Sequence, residues 1–298
     1  MKAASLLVGI LLFNVALAQD GDRSPTSLGH AYVAGGGFFA GESTFFPQDI
    51  TRITTGSTLF TGDLSAYKNY DYYGDPFIMG TGLFTGGLGI HPLRKVNAPG
   101  PELRLGFIYG GRSGRSAYYS RMDSSPYDTL TSSQTSDQYY VDSVWGSSYT
   151  IAQTCERFGL DAALVWHTQG RWSIHAGMGI MAGVLANVRT TIQYEEFSGV
   201  SAASTSSSSG NYYHYAYGYH GTGDYSSSSE TLQRGTGWWT SLYTPLGLDF
   251  RFGRTGDFWT RVHAFMEMRP QLVMQHTADL GTATSFGAQS LFGLRFRL

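Results

Sequence analysis

The chain has 298 residues, of which 14% are charged and 15% aromatic, with 39 glycines and a formal net charge of −2. An ordinary soluble domain carries roughly 25% charge, and a nucleic-acid binder needs a basic stripe that this near-neutral composition does not suggest, so nucleic acid is excluded as a partner. The single Cys155 cannot close an internal disulfide and reads as a small residue filling a strand position.

Lys2 precedes a nearly unbroken apolar stretch, Leu6 to Leu17, and Ala16-Leu17-Ala18 stands ahead of Gln19. That is the layout of a secretory signal peptide, residues 1–18, cut after Ala18; Gln19 is not the Cys a lipoprotein anchor requires. No later run reaches the roughly 18 apolar residues of a membrane helix. The remainder is therefore either soluble or spans a membrane with strands.

Eight runs alternate in period two, which gives a strand one apolar and one polar face. The first two, about His30 to Gly41 and Phe77 to Leu93, are Gly-rich and alternate least cleanly. In the third, Leu103, Leu105, Phe107 and Tyr109 oppose Glu102, Arg104, Gly106 and Arg112. The fourth, Gln138 to His167, sets Phe158, Leu160, Leu164 and Trp166 against Arg157, Gly159 and Asp161. It is far longer than the 9 to 11 residues a tilted strand needs to cross a bilayer. Either it protrudes above the membrane or Tyr139 to Trp145 forms a separate hairpin piece.

The fifth run sets Trp172, Ile174, Met178, Ile180 and Val184 against His175, Gly177, Gly179, Gly183 and Arg189. In the sixth, Leu242, Leu246, Leu248 and Phe250 oppose Ser241, Tyr243, Asp249 and Arg251. In the seventh, Val262, Ala264, Met266, Met268 and Leu272 oppose Arg261, His263, Glu267, Arg269 and Gln271. The eighth reaches the last residue: Phe286, Phe292, Leu294, Phe296 and Leu298 share one parity and Gln289, Gly293, Arg295 and Arg297 the other, with Leu291 the apolar intruder.

Connectors alternate between short and long. Residues 94–100, 168–170 and 253–256 are tight links, whereas residues 42–75, 120–137 and 195–230 are long polar segments and residues 277–281 a modest one. Short turns at one end and long loops at the other are the mark of an outer-membrane barrel. These features predict an all-β fold, an antiparallel up-and-down transmembrane β-barrel of eight strands with long extracellular loops and short periplasmic turns. Residues 19–28 then form a short periplasmic segment and residues 29–298 the barrel. A soluble sandwich or lipocalin-like barrel would read the same alternation inside out, with the apolar parity inward.

The polar parity places Glu102, Arg104, Arg112, Arg157, Asp161, Asp249, Arg251, Arg261, Glu267, Arg269 and Arg295 inside. An eight-stranded interior is just wide enough to be filled by side chains, so these charges form a packed ion-pair network, with Arg157–Asp161, Asp249–Arg251 and Glu267–Arg269 as same-strand candidates. The arginine excess would favour an anionic guest. His91, His167, His175 and His263 fall on or beside strands, but no spacing selects a nucleophile, base and orienting carboxylate. His214, His220 and Asp224 match no metal-ligand spacing, the glycines from Gly80 to Gly89 do not open a helix as a phosphate loop would, and no cofactor is expected. The Ser- and Tyr-rich segment 195–230 lacks the apolar surface to order itself; its composition also suits adaptable contact surfaces.

The signal peptide, eight runs and C-terminal strand together resemble small outer-membrane β-barrel proteins of Gram-negative bacteria, of the OmpA/OmpX-like kind. Gly293, Phe296 and Leu298 fall at the glycine and hydrophobic positions of the assembly signal read by the barrel insertion machinery, although Leu291 replaces a polar residue and Leu298 the commoner Phe. The resemblance implies outer-membrane location, with membrane lipid and the insertion machinery as partners. Its implied role is a non-enzymatic, structural or surface-recognition one toward an extracellular ligand. A narrow pore and a lipid- or peptide-modifying hydrolase are the alternatives.

Overall fold

The computed structural model describes residues 27–40, 47–69, 81–91, 101–131, 133–134, 138–204, 224–255 and 258–298. The signal peptide, the 94–100 link, His214 and His220 lie outside the described residues.

Strands β1 (Ser27–Ala40), β2 (Lys68–Asn69), β3 (Thr81–His91), β4 (Glu102–Thr131), β5 (Gln138–His167) and β6 (Trp172–Ser204) are followed by β7 (Tyr225–Gln233), β8 (Gly237–Tyr243), β9 (Leu246–Arg251), β10 (Val262–Thr277) and β11 (Gly281–Arg297). One short helix, α1 (Pro47–Ile53), lies between β1 and β2. All pairings are antiparallel and the sheet closes on itself: β11 pairs with β1 from His30↔Arg297 to Ala40↔Gly287. The ring has eight staves, because β8 and β9 are two parts of one stave between β6 and β10. The break falls at Thr244–Pro245, where proline has no N–H to give the ladder; the Pro245 carbonyl still accepts from Gly177 N–H at 3.1 Å.

The parity faces outward as a membrane wall requires. Leu160 is 72% exposed, Trp172 66% and Phe286 78%, and Phe84, Ile174, Met178, Leu242, Met266 and Phe292 are exposed with them. The same strands bury Glu102, Arg104, Asp161, Glu267, Arg269 and Arg295. A soluble barrel would reverse this pattern, since an apolar belt of this size in water is strongly unfavourable. Leu291, out of pattern in the sequence, is 1% exposed and belongs to the interior.

The wall is of unequal height. β4 and β5 each have 30 residues and β6 has 33, against 11 in β3 and 16 in β10. β5 is one continuous strand paired along β4 to Thr131↔Gln138, so it protrudes and carries no separate hairpin. The polar segments expected as loops are corrected in the same way: β4 continues to Thr131, and residues 195–204 and 225–230 lie in β6 and β7. Their polar side chains are compatible with strand because the far end of β4 and most of β7 are exposed.

Candidate functional site

The lumen is filled at the base, the end where β1 begins and β11 ends. Glu267 on β10 is central: its Oε1 accepts from Arg269 Nε at 2.5 Å, and its Oε2 from an Arg104 terminal nitrogen at 2.7 Å and lies 2.6 Å from His175 Nε2. Arg104 also reaches Glu102 Oε1 at 2.9 Å, and Glu102 Oε2 lies 3.2 Å from His30 Nδ1 and 3.5 Å from His167 Nε2. Toward the middle, Arg269 donates to Asp161 Oδ2 at 2.9 Å, and the Tyr243 hydroxyl donates to the other Asp161 oxygen. A second knot joins Asp249 to His263 Nδ1 at 2.5 Å and to Arg295 at 3.0 Å. Glu267 and His175 have fully buried side chains.

This fits inside eight staves because glycines on neighbouring strands leave slots for rings. A Cβ on Gly89 would lie 2.3 Å from the His30 ring, and one on Gly247 would lie 2.4 Å from the His175 ring. Four carboxylates, Glu102, Asp161, Asp249 and Glu267, face three guanidiniums, Arg104, Arg269 and Arg295. Among the described residues every buried Asp, Glu and Arg therefore has an opposite partner, which a low-dielectric interior demands.

The expected residues divide into those that join this plug and those that do not. Glu267 and Arg269 pair within β10, but Asp161 pairs with Arg269 instead of Arg157, and Asp249 with Arg295 and His263 instead of Arg251. Arg157 lies higher, its guanidinium 4.3 Å over the Phe38 ring and donating to Gln275 Oε1 at 3.1 Å. Arg112 is exposed: the register jumps between Gly110 and Ser113, and the extra bulge residue turns it out of the inward series. Arg261 is also exposed and Arg251 half-buried, both at the base rim. The arginine excess expected inside is thus spent on rims and bulges. His30 and Tyr243 were not singled out as site residues by the sequence, although both share the parity of charged or polar lumen residues.

Gly293 and Phe296, expected at positions of an assembly signal, lie at the seam, where Gly293 pairs with Ala34 and Phe296 with Ala31. A Cβ on Gly293 would meet the Val33 carbonyl at 2.3 Å, so the glycine allows the close approach that closes the ring. Leu298 N–H donates to the Gly29 carbonyl at 3.0 Å.

At the opposite end α1 packs on the wall. Ile50 and Ile53 of α1 are fully buried against Ala117, Tyr119, Tyr149, Ile151 and Ile192 on the tall wall. Glu230 on β7 accepts from Ser57 Oγ at 2.7 Å and from the Thr58 and Leu59 N–H groups at 3.0 and 3.3 Å. Arg234 donates to the Ile53 carbonyl and, at 3.0 Å, to that of Thr55, capping the end of α1 with a cation. Between α1 and the plug, Phe38, Leu83, Ile108, Trp239 and Val273 line a narrow recess with Arg157 and Gln289. Among the described residues, no group of three His, Cys, Asp or Glu is arranged to hold a metal ion.

The Ser57 hydroxyl foremost, with the Thr58 and Leu59 amides, holds the Glu230 carboxyl below its ordinary value. A carboxyl lowered in the folded state contributes its stability above the unfolded value, about 4.3, and loses it as the pH falls through the lower folded value. Amide exchange at residues 57–59 is therefore expected to be slow at neutral pH and to exceed the acid trend of free amides as Glu230 protonates. In Glu230→Gln the acid-dependent excess should vanish.

Fold and site define a membrane-type β-barrel whose lumen is crossed at the base by a buried ion-pair network. No family model and no curated protein matches the chain. Among solved structures it is similar to OmpT (in-vitro folded), an outer membrane protein of Vibrio cholerae, at 12% identity over 88% of this chain and 76% of that one, with a TM-score of 0.12. Outer-membrane expressed OmpT of Vibrio cholerae aligns at 10% identity over 93% and 99%, with a TM-score of 0.15. Scores this low establish no common fold.

Proposed function

We propose that the protein is a non-enzymatic, sealed outer-membrane barrel that acts by displaying its tall β4–β7 wall at the cell surface. What supports this reading is the filling of the lumen by the Glu267-centred ion pairs at the base together with the packing of α1 on the wall at the other end. A conducting pore needs a continuous water path, and a hydrolase needs a substrate to reach its catalytic groups; His175 and Glu267 are fully buried. The tall wall carries exposed Tyr127, Trp145 and Tyr225 beyond the height of β3 and β10, the amphipathic rings favoured in recognition surfaces.

The full chain reconstituted in planar bilayers is expected to be silent at moderate voltage. Steady ion-conducting steps, persisting when 47–69 are tethered to the wall by an engineered crosslink, would favour the pore. On cells, trimming the β4–β5 tip beyond Trp145 should abolish surface attachment while leaving the barrel folded and inserted.

A further inference from the structure

Five arginines outside the plug, Arg171, Arg251, Arg254, Arg261 and Arg297, gather on one sector of the base rim. Arg251 N–H donates to the Arg171 carbonyl at 2.9 Å, and Arg297 N–H to the Arg261 carbonyl at 2.8 Å. With Trp172 paired to Phe250 and Val262 to Phe296, these are two facing arginine pairs, Arg171 just before β6 opposite Arg251 on β9, and Arg261 just before β10 opposite Arg297 on β11. Arg254 lies in the turn between them. Like charges directly opposite each other destabilise a sheet. Asp249, a buried acid two residues from Arg251 on β9, already holds His263 and Arg295. Among the described residues no carboxylate lies within ion-pair distance of Arg251, Arg254, Arg261 or Arg297; Asp257, in the same turn, lies outside them.

An aromatic arc follows the same sector. Trp172 packs on Phe250 at 4.5 Å, Phe250 on Phe252 at 5.8 Å, Phe252 on Trp259 at 6.5 Å, Trp259 on Phe258 at 5.2 Å and Phe258 on Phe296 at 6.0 Å. Trp172, Trp259 and Phe258 are more than half exposed. Arg171 bridges the two features, its guanidinium 4.8 Å over the Phe250 ring. Uncompensated cations directly beside exposed aromatic rings suit a ligand with an anionic head and apolar chains. Guanidinium forks match phosphate oxygens bidentately, and basic clusters at a membrane boundary take anionic headgroups.

We propose that this rim, Arg251, Arg254, Arg261 and Arg297 with the aromatic arc outside them, is a binding site for the phosphate of an anionic phospholipid in the adjoining leaflet. The site relies on the membrane-spanning reading and on no particular surface function.

The test places the full chain in lipid nanodiscs of phosphatidylcholine alone or with cardiolipin, and measures the unfolding midpoint and the cardiolipin retained after purification. Cardiolipin should raise the midpoint, less so at high salt. R261Q/R297Q should weaken retention about 25-fold, a factor of about five for each arginine lost near an anionic surface, while R121Q at the far end leaves it unchanged. An added arm offers pyrophosphate to neutral discs: the same gain, with the same dependence on Arg261 and Arg297, keeps the site and makes a soluble phosphate its ligand. Equal midpoints in both discs with no response to pyrophosphate, or a gain that survives R261Q/R297Q and R251Q, would overturn the site. Failure to insert even into neutral discs would overturn the membrane reading and the site with it.

Discussion

Glu267→Ala is expected to lower the stability of the folded barrel by about 3–5 kcal/mol, the cost of breaking a buried ion pair from one side. Glu267 is the one carboxylate that touches both Arg104 and Arg269, as well as His175. Its removal leaves two guanidiniums facing each other with Glu102 and Asp161 as their remaining partners. Unfolding in urea, followed by the loss of the compact gel band, should show a lower midpoint. Glu267→Gln should cost less, because the amide keeps the volume and one acceptor. Replacing Glu267, Arg104 and Arg269 together by apolar residues of similar size should recover much of the loss, since the desolvation of all three charges is then removed. Equal stability of Glu267→Ala and the parent would mean that water reaches the plug and that the lumen is open.

Leu160→Arg is expected to cost about 2–4 kcal/mol in a bilayer, the penalty for arginine at mid-depth on the lipid face of a barrel. Leu160 is 72% exposed and opposes Phe107 on β4 and Ala182 on β6, well inside the paired region. The paired change Ser125→Arg on the protruding part of β4, exposed as well, should stay within about 0.5 kcal/mol, as surface substitutions in water do. Refolding into lipid vesicles over a denaturant series measures both. If the two substitutions behaved alike, the apolar face would be meeting water and not lipid.

Strand identity was legible because the side-chain period is two: the alternating runs from Leu103 to Phe296 lie in strands, the sixth divided between β8 and β9, and the seam between β11 and β1 joins the last run to the first. Parity also named most of the charged residues that fill the lumen. The partners were not legible. Asp161 and Arg157 share a strand and a face, yet the barrel brings Arg269 from β10, 108 residues away in sequence, onto Asp161. Arg112 left the inward series through a single bulge residue, which no alternation count reveals.

The sequence by itself determined the strands, their amphipathic faces and the composition of a membrane-type barrel, because those follow from local periodicity and overall polarity. It also offered two orientations of that pattern, apolar out or apolar in, and a choice between protrusion and a separate hairpin for the long fourth run. Only the tertiary structure decided these. Closure of the ring sets which face encloses the lumen. Pairing along the full length of β4, β5 and β6 makes strand of segments whose polar composition looked like loop. The burial of α1 against Ile151 and Ile192 depends on a wall that exists only once those strands have paired, and a short helix packed on so distant a partner leaves no period of its own in the chain.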